Sequence, residues 1–164
     1  MNEEKRCASC AEIFPLTFFR RNRHDCSWCQ FASMELRAKH RYKDKSRVGR
    51  LEIDMQTFVA WYVSQPDQCH YCGTSREEFK QLRIRHFRGG AYVSWDIDRM
   101  DSSLPYRPGN LALSCFMCNT AKGNHFSEVE MRVIGRSIRL VMEQRLQAAA
   151  SPAMAVLHEC STQP

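Results

Sequence analysis

Apolar positions in this chain come in short bursts between polar stretches, and few bursts could close a core unaided. Phe14, Leu16, Phe18 and Phe19 surround Pro15, and the polar run Arg20, Arg21, Asn22, Arg23, His24 follows them. Met55, Phe58, Val59 and Tyr62 recur at helical spacing. They predict a helix from Met55 to about Ser64, capped by Asp54 and ended before Pro66. Ser75 and Glu78 have capping-box spacing and predict a short helix carrying Phe79 and Leu82. After Gly89 and Gly90 the period becomes two: Val93, Trp95 and Ile97 alternate with Ser94, Asp96 and Asp98. That is a half-buried strand over 91–98 with Asp98 on its polar face near its end. Pro105, Pro108 and Gly109 mark 99–109 as a loop, 110–114 reads as a second short strand, and 119–123 as a short helix stopped by glycine. Ser127 and Glu130 form a second capping box. It opens a long helix to about Ala150, with Val129, Val133, Ile134, Ile138, Val141, Met142 and Leu146 as its apolar face.

What replaces the missing core is legible in the cysteines. Eight of the nine lie in C-x-x-C knuckles: Cys7 with Cys10, Cys26 with Cys29, Cys69 with Cys72, and Cys115 with Cys118. Each knuckle brings two thiolates to one tetrahedral ion, so the expectation is two structural zinc sites with every position filled by sulfur. His24 is an alternative ligand at the first site, whereas His70, between two ligands of the second, is expected to face solvent. Disulfides are the rival reading. Against them, the polar stretch Met1–Arg6 is followed by no apolar signal region, so no secretion signal is visible. No run approaches the roughly 18 apolar residues of a membrane span. A cytoplasmic or nucleic-acid-associated location is expected, with no membrane partner. Cys160 stands apart as an unligated thiol, and His86 reads as a strand or surface histidine.

The 164 residues divide at these landmarks: 1–50 as a four-cysteine knuckle with a basic segment, 51–150 as the main domain with its C-terminal helix, and 151–164 as a tail. Formal net charge is +6, from 24 Lys plus Arg against 18 Asp plus Glu. Eight thiolates and two Zn²⁺ ions would leave about +2, so distribution carries more weight than total. Arg37, Lys39, Arg41, Lys43, Lys45 and Arg47 are concentrated in one segment with His40 and Arg50, opposed by Asp44 alone. Such density suits phosphate contacts, although a solvated helix would look the same.

From about Gln68 to Ser127 the chain resembles the HNH endonucleases, the ββα-metal nuclease family, in their zinc-stapled four-cysteine form. The matching phrases are Cys69-His-Tyr-Cys72-Gly73, Asp98-Arg99, Asn110-Leu-Ala-Leu and Cys118-Asn119-Thr-Ala-Lys122-Gly123. The unit Cys7–Cys29 looks like the extra knuckle ahead of this domain in some phage-type members. The resemblance implies an α+β fold: a small zinc-stabilised, treble-clef-like ββα core, a zinc-ribbon-like knuckle before it and a long helix after it. It also implies a metal-dependent endonuclease or nickase hydrolysing phosphodiesters, DNA before RNA.

Carried over by residue, the resemblance makes Asp98 the first ligand of a catalytic Mg²⁺ or Mn²⁺, Asn119 the second, and Asn110 the brace of the loop. The general base should follow Asp98, but Arg99 stands there, and a guanidinium does not accept a proton near neutrality. Arg99 or Lys122 would instead share charge on the phosphate. Asp101 and His125 are equal candidates for the base, and Asp96 could add a second carboxylate. The other reading that Arg99 leaves open is a non-catalytic zinc module that binds nucleic acid or a protein. The long helix allows a monomer or a homodimer paired through it.

Overall fold

The computed structural model describes residues 3–20, 23–43, 51–84 and 95–150; at 37 and 39–43 it describes backbone only. Expectations on Lys45, Arg47, His86, Val93 and Cys160 lie outside the described residues, as do the side chains of Arg37, Lys39, Arg41 and Lys43. Two short strands, β1 (Glu4–Arg6) and β2 (Ile13–Pro15), pair antiparallel and lead into one 3-10 turn over Leu16–Phe18. Helix α1 (Ser27–Lys43) starts inside the second knuckle. Next come α2 (Met55–Ser64), α3 (Arg76–Gln81), the antiparallel pair β3 (Asp96–Arg99) and β4 (Leu111–Ser114), α4 (Phe116–Lys122) and α5 (Glu128–Ala150). This is the expected α+β arrangement, a two-stranded sheet with helices on it and a knuckle before it.

Two apolar clusters hold it together. The smaller gathers Phe19, Phe14 and Phe18 around Cys7 and Cys26. In the larger, Phe31, Met34 and Ala38 of α1 join Phe58 and Tyr62 of α2, then Phe79, Trp95, Ile97, Leu111, Leu113 and Met131 around the second quartet. Helix α1 therefore leaves the first quartet and inserts its inner face into the core of the second.

A buried polar cluster strengthens that junction. Asp67 accepts from Arg76 Nη2 at 2.9 Å and from the Trp95 indole at 2.7 Å, and it lies 3.4 Å from Arg20 Nη2. Arg20 also donates to the Pro66 carbonyl. A carboxylate and two guanidiniums, packed on Trp95 and Tyr62 rings, thus connect the N-terminal unit to the main core.

Helix ends follow the sequence closely. Asp54 Oδ1 accepts from the Thr57 amide at 2.8 Å, and both arms of the Ser75/Glu78 and Ser127/Glu130 boxes are present. Four expectations need correction. Met55 is exposed, and Phe58 and Tyr62 carry the inward face of α2. Strand β3 begins at Asp96, leaving Trp95 ahead of it. Helix α4 begins at Phe116 rather than 119, because Cys115 is its cap and its sulfur accepts from the Cys118 amide at 3.4 Å. A ligand thiolate thus does the work of a capping oxygen. On α5, Val129, Val133 and Val141 are exposed, and the buried face runs through Met131, Gly135 and Met142 with Ile134 and Ile138 beside it. Gly135 sets that face, since a Cβ there would sit 2.4 Å from the Tyr71 carbonyl oxygen. The exposed valines lie on the helix expected above to offer a homodimer contact.

Candidate active site

All eight knuckle cysteines converge in two groups, within each of which the sulfurs lie within 4.8 Å of one another. Cys7 and Cys29 sulfurs are 3.7 Å apart, and those of Cys72 and Cys115 are 3.9 Å apart. A tetrahedron with Zn–S bonds of about 2.3 Å has edges of about 3.8 Å, so both quartets fit zinc in donor type and in size. His24 is exposed, and the first quartet is complete without it. Backbone amides point at the sulfurs, as in Cys26 N–H to Cys7 Sγ at 3.2 Å and Cys115 N–H to Cys69 Sγ at 3.3 Å. Four thiols this close share negative charge unevenly. Hydrogen bonds from Cys115 and Cys118 hold Cys69 and Cys72 below the ordinary thiol pKa, and Cys115 pushes Cys118 above it. A divalent ion is what lets all four ionise together.

The second quartet positions the polar site. His70 N–H donates to the Leu113 carbonyl at 2.8 Å, which joins the knuckle to β4, while Cys115 and Cys118 join the end of β4 to α4. On β3, Asp98 pairs opposite Ala112 and Arg99 opposite Leu111. Asp98, 8% exposed, accepts from the Tyr71 hydroxyl at Oδ2 across 2.5 Å, with Lys122 Nζ 3.4 Å from the same oxygen. Burial and the neighbouring Asp98 push the Tyr71 phenol upward, so it stays a proton donor.

Helix α4 supplies the facing wall. Asn119 donates from Nδ2 to Asp96 Oδ2 at 3.1 Å, so its Oδ1 is the atom available to a ligand. Lys122 is 0% exposed and donates to the Arg99 carbonyl at 2.8 Å and to Ser102 Oγ at 3.0 Å. Asn110 spans the loop from both ends of its amide. Its Oδ1 accepts from the Asp101 amide at 2.8 Å, and its Nδ2 donates to the Asp101 and Pro105 carbonyls at 3.1 and 2.9 Å. Asp98, Arg99, Ser102, Asn119, Gly123, Asn124 and His125 line a polar cavity of about 300 Å³.

No protein-family model and no curated protein matches the chain. Among solved structures it is similar to the rare-cutting HNH restriction endonuclease PacI. Identity is 29% over 86% of this chain and 97% of PacI, with a TM-score of 0.61. That likeness and the two four-cysteine sites fit a zinc-bound, HNH-type protein.

In this HNH-type site the residues expected from sequence are distributed unevenly. Asp98, Arg99, Asn119 and His125 meet at one cavity. Asp101 does not. It lines a neighbouring cavity, and its Oδ1 accepts from the Ser103 amide at 2.8 Å and hydroxyl at 2.6 Å. The Ser103 hydroxyl and amide hold its carboxyl below the usual range, which weakens it as a base. Asp96 binds Asn119 instead of the cavity. Lys122 is corrected too: wholly buried, it cannot meet nucleic acid at the surface, and its ammonium braces Arg99, Ser102 and Asp98 from inside. Arg99 is buried, donates to the Leu104 carbonyl at 3.0 Å and packs over the Tyr106 ring. His70 does not simply face solvent, since its Nε2 lies 3.0 Å from Glu128 and 2.9 Å from Arg132.

Tyr71 and Ser102 were missed from sequence. Tyr71 sits inside a knuckle, where spacing draws attention to the cysteines, and only the fold shows that its ring reaches Asp98. Its buriable aromatic body with a polar tip was the available signal.

Among the described residues, no helix is long and apolar enough to cross a membrane. A catalytic cation would find two oxygen donors at the cavity, the Asp98 carboxylate and the Asn119 amide oxygen. One carboxylate with substrate oxygens completing the shell is the usual manner of Mg²⁺.

Proposed function

We propose that this chain is a metal-dependent endonuclease or nickase that hydrolyses phosphodiester bonds, in DNA before RNA. The observation that carries this is the buried Asp98, held by Tyr71 in the wall of a cavity shared with Asn119 and His125. Similarity to PacI, an HNH restriction endonuclease, supports it and favours DNA.

Asp98 and Asn119 would hold the ion through oxygen, as Mg²⁺ or Mn²⁺ prefers. When bound, it supplies positive charge to the phosphate and the departing oxygen. His125 is the group on the cavity wall suited to take the proton of the attacking water, and its exposure lets it return that proton to solvent. Arg99 lines the same cavity and contributes charge to the phosphate while bracing the loop through Leu104. Asn110 and Lys122 keep that loop and strand in register. The zinc sites hold geometry, because four sulfurs leave no position for water. The basic segment Arg37, Lys39, Arg41, Lys43, Lys45 and Arg47, beginning on α1, is assigned to the phosphate backbone, which makes binding salt-dependent.

The test is nicking of supercoiled plasmid by zinc-loaded protein, with and without added Mg²⁺ or Mn²⁺. Cleavage should need the added ion, and Asp98→Ala should lose at least about a hundredfold in rate while keeping its zinc. Plasmid binding with no cleavage under any ion would instead establish a non-catalytic zinc module.

A further inference from the structure

Beside the catalytic cavity lies a second and larger one, of about 570 Å³, inside the range of about 300 to 1,000 Å³ for small-ligand sites. Ser102, Asn124 and His125 line both, so a ligand in one is a close neighbour of a ligand in the other. The remaining wall is formed by Met100, Asp101, Ser103, Leu104, the loop end at Gly109 and Asn110, and residues 126–129 leading into α5.

Its chemistry differs from that of its neighbour. The acidic groups on its wall are Asp101 and Glu128, and among the described residues no lysine or arginine lines it, so it offers a phosphate no direct cation. Asp101 binds Ser103 through Oδ1, and Glu128 binds His70 and Arg132 through Oε1. Asp101 Oδ2 and Glu128 Oε2 are left to accept from a donor. Together with His125 these carboxylates do not converge as a cation site, since the described clusters of three or more such ligands are the two cysteine quartets. Two apolar side chains of the wall also reach solvent, Phe126 at 40% and Val129 at 71% exposed, among the exposed polar groups of Asn124, His125 and Ser127. An exposed ring, carboxylate acceptors and no phosphate-binding cation suit a flat ring bearing an amino group.

On the reading of the adjoining cavity as a phosphodiester site, we infer that this second cavity takes a nucleobase of the cleaved strand, next to the scissile phosphate. Phe126 stacks on the base, and Glu128 with Asp101 accepts from an exocyclic amine. The site therefore prefers adenine or cytosine to thymine, which has no such amine. The cleaved strand gains a preference there without a base-reading helix in a groove.

The test measures equilibrium binding of labelled dA, dC and dT 12-mers to the full zinc-loaded chain, in Ca²⁺ to suppress cleavage. Wild type should bind the dA and dC strands at least about fivefold more tightly than dT. Glu128→Gln should shrink that preference without weakening dT binding, and Phe126→Ala should weaken all three strands by about fivefold or more. Both side chains are at the surface, and zinc content checks that each variant is folded. Equal binding of the three strands, or a preference untouched by Glu128→Gln, overturns the base site. Plasmid nicking by the same preparations keeps the two readings apart. Asp98-dependent nicking without a base preference sinks the base site alone, and a preference without nicking sinks the nuclease reading alone.

Discussion

Tyr71 donates its hydroxyl to Asp98 Oδ2 across 2.5 Å, joining a side chain inside a zinc knuckle to the carboxylate at the end of β3. The contact fixes one oxygen of Asp98, a residue of the cavity wall, so the second cysteine quartet and the polar cavity are mechanically connected.

Tyr71→Phe removes only that hydroxyl. A partner that orients a metal-ligating group is worth about 10- to 100-fold, and a fall of that size in kcat is expected with both zinc ions retained. Steady-state nicking kinetics beside a zinc assay checks this. Unchanged kcat would show that packing alone positions Asp98.

His125→Ala should cost about 10²- to 10⁴-fold, the usual range for a general base. Asp101→Asn should stay within a few-fold of wild type, because that carboxylate is engaged by Ser103 and absent from the Asp98 cavity. The opposite ranking of the two variants would move the base to Asp101.

Arg99→His, which restores the usual family residue, should reduce activity instead of raising it. It removes the bond to Leu104 and the packing over Tyr106 in a buried position. Loss of such a charged hydrogen bond costs about 1.5 to 3 kcal/mol, measurable in the urea midpoint.

Asp67→Asn leaves two buried guanidiniums beside each other without their carboxylate. About 3 kcal/mol of destabilisation is expected, the low end for a broken buried pair, since Asp67 retains some exposure. Denaturation monitored by tryptophan fluorescence reads it directly. Gly135→Ala is a second packing test: the new methyl meets the Tyr71 carbonyl at 2.4 Å. Overpacking of this kind costs about 1 to 3 kcal/mol, and kcat should fall too as Tyr71 shifts.

Acid should empty the first quartet before the second. Burial works against ionisation of Cys7, but the Cys26, Cys10 and Ser9 amides outweigh it and bring its thiol down to about 6 in the metal-free site. A depressed pKa keeps that one thiolate above about 6, whereas burial pushes the Cys26 and Cys29 thiols above the ordinary value, so protons compete with zinc for the site and its affinity should fall as pH falls. Cys10 is exposed and Cys29 half-buried, while the second quartet is wholly buried. Stepwise release of one zinc equivalent before the other, followed with a chromophoric chelator, is the expected record.

Much of this protein was already determined by local chemistry in the chain. C-x-x-C spacing makes two sulfurs meet wherever the knuckle sits, so the ligand set needed no tertiary knowledge. Capping boxes at Ser75 and Ser127 act within four residues, and helix starts followed from them. Asp98 at a strand end and Asn119 near the last knuckle were legible for the same reason, given the family resemblance.

What only the tertiary structure decided were the relations across distant segments. The Tyr71 hydroxyl reaching Asp98, the ammonium of Lys122 turned inward, Asp101 assigned to the neighbouring cavity and Gly135 pressed on a carbonyl all depend on where α4 and α5 close over β3. Periodicity states which face of an element is apolar, but not which neighbour will cover it. Val129 and Val133 show the consequence, staying in solvent because the close approach at Gly135 rotated α5 onto Met131 and Met142 instead.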